Sequence, residues 1–328
     1  MAWRAPHLHE VSPLDGIHVS LVTPFTRDGA VDTASLERLA RYSLEGGASG
    51  LVALGTTGEP AMLTPEEQGA VLRICRKVSD EHGVPLTVGT GTIGTETSVR
   101  QAKECAEIAD ALLVVIPYYL RPSDEGVLEH FAAIGAAVDV PLIPYNIPYR
   151  TGLTLRPETL LGLLAEEYVI GMKQCAGAID ADTLTLLAGA GRDAAILCGD
   201  DAYLYPMLQL GAAGGITASA NIAPAAYATM VAAVRMGDGD MARTLHEQLL
   251  PLVNALFAEP SPSVLKAVLA ELGLIDDPSV RSPLRPPSRE PVGRALAHVS
   301  GLAGSGLGRS GVAGSGAGGG SGGAGGVR

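Results

Sequence analysis

Short, almost wholly apolar runs alternate along this chain with longer stretches whose apolar positions recur at helical spacing. The runs are Ile17 to Val22, Gly50 to Leu54, Leu86 to Gly89, Leu112 to Ile116, Leu142 to Tyr145, Val169 to Lys173, Ala195 to Cys198 and Gly215 to Ala218. Runs this short, apolar at successive rather than alternate positions, suit strands covered on both faces. Helical connections in place of two-residue hairpins make neighbouring strands parallel. Repeated strand–helix units of this kind predict an α/β fold whose simplest closure is a (β/α)8 TIM barrel, a fold that uses about 250 residues as one domain.

The intervening stretches carry helix-start chemistry. Thr64-Pro65-Glu66-Glu67 supplies a cap, a first-turn proline and two acids ahead of the stripe Val71, Leu72, Cys75, Val78. Asp32-Thr33-Ala34-Ser35 opens a helix containing Leu36, Leu39 and Ala40. After Ala218 the strand pattern stops, and Pro224 to Gly273 reads as several helices. The expected organisation is an N-terminal arm (1–13), a barrel (14–223), a C-terminal helical extension with a proline-rich strap at Pro278 to Pro291 (224–300), and a Gly/Ser-rich disordered tail (301–328). A tail of mostly Gly, Ser and Ala lacks the apolar surface needed to offset the entropy of ordering it.

Composition narrows the function classes. With 47% hydrophobic and 18% charged residues the chain can bury a continuous core. A formal charge of -12 disfavours nucleic acid and anionic membranes as partners. No run approaches the roughly 18 apolar residues of a membrane span, and Met1 to Pro13 lacks the apolar segment of an export signal. Four widely spaced cysteines, Cys75, Cys105, Cys175 and Cys198, fit reduced thiols and a cytoplasmic location. The seven histidines show no ligand spacing, so no metal is expected.

In such barrels the chemistry sits at the C-terminal ends of the strands. Those ends carry Gly55-Thr56-Thr57-Gly58-Glu59, Pro117-Tyr118-Tyr119, Tyr145-Asn146, Lys173 and Gly199-Asp200-Asp201. A lysine after the apolar run Val169-Ile170-Gly171-Met172 either enters the interior, where burial favours the neutral nucleophilic amine, or pairs structurally with Asp200 or Glu59. Gly55-Thr56-Thr57-Gly58 offers amides and hydroxyls suited to a carboxylate, or is simply a strand-to-helix turn. Tyr145 is a proton-transfer phenol or a packing residue, and Arg150 a carboxylate clamp or a surface arginine. Position alone leaves each pair open.

Four motifs together carry a resemblance. Gly55-Thr56-Thr57-Gly58-Glu59, Pro117-Tyr118-Tyr119 with Arg121-Pro122-Ser123, Tyr145-Asn146-Ile147-Pro148-Tyr149-Arg150-Thr151-Gly152 and Gly171-Met172-Lys173 resemble, in order and strand placement, the dihydrodipicolinate synthase/N-acetylneuraminate lyase superfamily. The resemblance spans Gly16 to Leu274. It implies a Schiff-base enzyme with Lys173 as the imine lysine and Tyr145 as the proton-transfer phenol. Thr56 would link Tyr145 to Tyr119, which in the family reaches in from a neighbouring subunit. It further implies Thr57 on the keto-acid carboxylate, Arg150 on the carboxylate of the incoming aldehyde, and Gly199 and Ile216 lining the site. No cofactor is implied beyond the covalent imine, and the partners are a 2-keto acid, an aldehyde and further copies of the chain in a homodimer or homotetramer.

Arg150-Thr151 resembles the synthase branch, which condenses pyruvate with aspartate semialdehyde. Gln174 and Cys175 stand where Glu-Ala usually follows the lysine, Pro144 precedes the tyrosine, and Glu259-Pro260-Ser261-Pro262 matches the family's C-terminal stretch in part. These departures keep in view a paralogous 2-keto acid aldolase or dehydratase acting on a sugar acid or secondary metabolite, and a catalytically silent keto-acid-binding barrel. Ile93, Thr97, Pro65 and Gln68 occupy positions that bind lysine in feedback-sensitive members, so insensitivity to lysine is expected.

Overall fold

The computed structural model describes residues 14–191 and 194–304. The arm expected over 1–13 and the tail beyond 304 lie outside the described residues. The strands are β1 (Gly16–Ser20), β2 (Gly50–Ala53), β3 (Leu86–Thr90), β4 (Ala111–Val115), β5 (Leu142–Asn146), β6 (Gly171–Gln174), β7 (Ala195–Cys198) and β8 (Gly214–Thr217). They close in sequential order, every pair parallel, with β8 returning to β1. Each lies within two residues of an apolar run. The offsets arise because a ladder is defined by backbone pairing and the pattern only by side chains.

Helices α1 (Thr33–Glu45), α2 (Pro65–His82), α3 (Thr95–Ala106), α4 (Asp124–Gly135), the single turn α5 (Pro148–Thr151), α6 (Pro157–Leu164), α7 (Ala181–Gly189) and α8 (Leu204–Gln209) connect the strands. α9 (Pro224–Arg235), α10 (Gly239–Leu256), α11 (Ser263–Glu271) and α12 (Arg289–Gly304) follow. The capping signals act as written. Thr64 and Glu67 form a reciprocal box at the start of α2, and Asp32 accepts from the Ser35 amide at 2.9 Å.

Two expected boundaries shift. α9 packs against β1, so the outer helical layer continues past the limit of 223 read from the sequence. A helix that covers the last strand and one appended to the barrel carry the same apolar stripe, so periodicity cannot separate them. α12 occupies 289–304, overlapping both the strap and the start of the expected tail. Leu302, only 3% exposed, joins the main apolar core and α12 packs on α10 and α11, so tertiary burial overrides the weak helix preference of its glycines.

Alternation along the strands divides the core in two. Val52, Leu113, Ile143, Leu197 and Ile216 fill the barrel interior with Leu14 among them, while the residues between them pack outward on the helices. That division matters at β5 and β6. Tyr145 and Lys173 share the inward phase, whereas Asn146 and Gln174 turn outward and bond each other at 2.9 Å.

Candidate active site

Lys173 projects into the mouth of the barrel from β6. It stands opposite Tyr145 in register, with Nζ 4.3 Å from the centroid of the phenol ring. It is only 6% exposed, and burial lowers its pKa, against the opposing pull of Cys175, Asp201 and Asp200. An amine held this way is neutral in a larger fraction than an exposed lysine at the same pH, which is the form that attacks a carbonyl. Gly199 at the end of β7 makes the room. A Cβ there would fall 2.8 Å from Lys173 Cε and 2.8 Å from Cys175 Cβ, closer than real contacts allow. Ile216, fully buried on β8, closes the floor.

Burial also raises the Tyr145 pKa well above its usual 10.0, so the phenol keeps its proton at neutral pH; a hydrogen bond with Thr56 works the other way. Thr56 and Thr57 sit in a single 3-10 turn, Thr56–Gly58, at the end of β2. Ser20 of β1 donates to Thr57 Oγ1 at 3.1 Å, and Thr23 donates to the Gly58 carbonyl at 2.7 Å, so the turn is tied to the neighbouring strand. Glu59, in the left-handed region at φ +57°, ends the turn. Its carboxylate accepts from Lys266 of α11 at 2.9 Å and from the Arg281 amide at 2.9 Å. Lys266 also donates to the Thr23 carbonyl at 2.9 Å. The structural partner left open for Lys173 in Glu59 is therefore committed elsewhere.

Asp200, the other candidate partner, is likewise engaged. Its Oδ1 accepts from Tyr149 Oη at 3.1 Å and Cys175 Sγ at 3.0 Å, and its Oδ2 from the Gly177 amide at 2.8 Å. Asp201 turns the other way, accepting from Ser219 and from the amides of Ala218 and Ser219, and so anchors the turn after β8.

Thr56, Thr57, Tyr145, Arg150, Lys173, Gly199 and Ile216 all line one cleft of about 290 Å³. Arg150 lies on the exposed turn α5, at the rim. Tyr119 does not join them. It is 81% exposed, at φ +69°, with its amide on the Thr151 carbonyl at 3.3 Å, beside the also exposed Leu120. Gln174, a departure from the family pattern next to the lysine, is turned away from the cleft into a bond with Thr183 at 3.1 Å.

Sequence reasoning missed the Glu59–Lys266 pair and the Tyr149–Cys175–Asp200 cluster. The first had a signal, a lone lysine inside the apolar stripe Val264, Leu265, Val268, Leu269. The second had none, because its three members come from three separate loops.

The Dihydrodipicolinate synthetase family, as a sequence pattern, matches residues 13–298. The chain belongs to that family. It is 40% identical over 271 residues to the 4-hydroxy-tetrahydrodipicolinate synthase of Syntrophus aciditrophicus, covering 82% of this chain and 91% of that one. It is 38% identical to the enzyme of the same name from Pseudomonas aeruginosa, covering 88% of this chain and 99% of the other. Among solved structures, the chloride-inhibited dihydrodipicolinate synthase of Acinetobacter baumannii complexed with pyruvate is similar at a TM-score of 0.83 and 35% identity, covering 90% of this chain and 99% of that one. Membership places Lys173, at the end of the sixth strand, within a matched region that runs through the whole barrel. No described helix is long and apolar enough to cross a membrane.

Proposed function

We propose that this protein is a 4-hydroxy-tetrahydrodipicolinate synthase, condensing pyruvate with aspartate semialdehyde through an imine on Lys173. The observation that carries this is the buried ε-amine of Lys173 facing the Tyr145 phenol at the mouth of a closed barrel. Relatives named for that activity over most of the chain, and a solved neighbour described with pyruvate, support the choice of substrates.

In this reading the Lys173 amine adds to C2 of pyruvate. The carbinolamine loses water as Tyr145 supplies a proton to the departing hydroxyl, giving an imine. The Tyr145 phenolate left by that donation takes a C3 proton to give the enamine, whose carbon attacks the aldehyde carbon to form the new C–C bond while the aldehyde oxygen takes the proton back from Tyr145 and becomes a hydroxyl. The amino group of the second substrate then displaces Lys173 from the imine carbon, closing the ring and freeing the lysine. Thr57 and nearby amides hold the pyruvate carboxylate, Arg150 holds the carboxylate of the aldehyde, and Gly199 and Ile216 shape the space beside the imine. Thr56 passes protons between Tyr145 and Tyr119, the latter contributed by a second copy of the chain in a homodimer or homotetramer. No cofactor beyond the covalent imine takes part. A cytoplasmic location belongs to the same proposal, supported by four free, buried cysteines.

The test is borohydride reduction after incubation with pyruvate, followed by mass spectrometry. The parent protein gains a reduced pyruvate adduct at Lys173, and Lys173→Ala gains none. Steady-state comparison of aspartate semialdehyde with 2-keto-3-deoxy sugar acids then fixes the reaction. Turnover of the sugar acids alone would overturn the synthase assignment.

A further inference from the structure

The rim of the cleft carries a cluster whose members come from three loops. Tyr149 belongs to α5 after β5, Cys175 and Gly177 follow β6, and Asp200 follows β7. Tyr149 Oη and Cys175 Sγ donate to the same carboxylate oxygen at 3.1 and 3.0 Å and lie 3.2 Å from each other, while the Gly177 amide takes the other oxygen at 2.8 Å. Gly177 is in the left-handed region at φ +77°, and its position for a Cβ lies 3.3 Å from the Tyr149 ring. The tyrosine ring is therefore held at its hydroxyl end, and the missing side chain at Gly177 leaves its edge room to lie there. Its chain neighbour is Arg150, whose guanidinium lies 6.0 Å from that ring. α5 has only one turn of its own backbone bonds, from the amides of Arg150, Thr151 and Gly152 to Ile147 and Pro148. A single turn is marginal without outside support, and on this side of the mouth the Tyr149 hydroxyl provides it.

We propose that Tyr149, Cys175 and Asp200 form a positioning set that holds the Arg150 turn over Lys173 and thereby sets the affinity for the second substrate. This rests on the synthase reading for what Arg150 binds. Pyruvate, attached at Lys173 and gripped from the β2 side, meets the set only through the charge of Asp200 and the thiol of Cys175 near the amine, and both stay in place when the Tyr149 hydroxyl is removed. The aldehyde, met by Arg150, does. Hydrogen bonds to a charged acceptor are the stronger kind, and a small misplacement of a binding group is costly in rate.

Three variants and two readouts test it. Tyr149→Phe, which removes only the hydroxyl, raises KM for aspartate semialdehyde about fivefold or more while KM for pyruvate stays within about twofold. Cys175→Ala acts in the same direction, and Cys175→Ser, which keeps a donor to Asp200, restores the parent value. Millisecond hydrogen exchange of the amides at 150–152 is faster in Tyr149→Phe than in the parent. Equal rises in both KM values, or no rescue by serine, would overturn the proposal, as would unchanged exchange whatever the kinetics. Absence of a trapped pyruvate adduct in the parent would instead sink the synthase reading, and the exchange arm would still decide whether Tyr149 holds the turn.

Discussion

Lys266 Nζ lies 2.9 Å from Glu59 Oε1 with both side chains fully buried, and this one contact fastens the threonine turn of the cleft to a helix added after the barrel. The ammonium also sits 4.0 Å from the Phe25 ring, with the Arg281 guanidinium 4.4 Å from the same ring. The C-terminal helices are thus part of the architecture that holds the site, through a charge pair that water does not reach.

Removing one member of that pair leaves the other charged and unpaired in the interior. Lys266→Met is expected to lower unfolding free energy by about 3–5 kcal/mol, measured by denaturant titration. The double variant Glu59→Gln/Lys266→Met removes both charges and is expected to be more stable than Lys266→Met by at least about 1 kcal/mol. A double variant no better than the single would show that lost packing, not the stranded carboxylate, is the cost.

Gly199 is expected to be intolerant of any side chain because a Cβ there would stand 2.8 Å from both Cys175 Cβ and Lys173 Cε. In Gly199→Ala the new methyl would stand 2.8 Å from Lys173 Cε, and the amine must move to relieve it. Borohydride trapping of pyruvate should slow by about tenfold or more. Trapping at the parental rate would mean that the lysine is not confined by this strand end.

The rate of imine formation should rise with pH through the Lys173 titration. Burial lowers that pKa from 10.5, so the rise is centred below the value of an exposed lysine. Trapping rates measured from pH 6 upward (about half-unit steps suffice) report the midpoint. A midpoint at or above 10.5 would mean that burial does not outweigh the pull of Cys175, Asp201 and Asp200 on the amine.

Arg281 holds the Glu67 carboxylate at 2.5 Å and lowers its pKa from 4.5 to about 2. Because the folded state binds this proton less readily than the unfolded one, the contribution is fully present above 4.5 and lost as pH falls toward 2. Thermal melts from pH 6 to 2 should therefore fall more steeply for the parent than for Arg281→Gln. Parallel curves would remove the ion pair from the acid response.

Tyr119 is 81% exposed in the single chain, and the proposed assembly of copies makes subunit mixing informative. If it completes a partner's site, inactive Lys173→Ala and impaired Tyr119→Phe subunits, mixed equally and reassociated, regain about a quarter of parental activity. That recovery comes from hybrid dimers, in which one site has both groups intact. Activity no greater than the average of the two separate variants would place Tyr119 outside the site.

Much of the fold was legible in the sequence because strands buried on both faces must be apolar at successive positions, and capped helices must carry their caps. Thr64 with Glu67 and Asp32 with Ser35 do locally what their spacing predicts. That Lys173 stands at the end of an apolar strand was legible for a related reason, while its burial without a structural partner was not. A charge at the end of an apolar run has few places to go.

The end of the barrel layer was less legible, since α9 reads like the helices after it and only its packing on β1 assigns it. The lone Lys266 in its apolar stripe signalled a buried charge but not its partner Glu59, and the Tyr149–Cys175–Asp200 cluster gave no signal. Lys266 is 207 residues from Glu59, and Tyr149 is 51 from Asp200.

The chain by itself determined which segments would be strand and helix, and which residue types stand at the strand ends, because those follow from local periodicity and steric preference. Only the closed barrel decided which of those ends face one another, how dry the amine at Lys173 is, and which carboxylates are already spoken for. Those are properties of distance through space and of excluded water, which exist only once residues far apart in the sequence have been brought together.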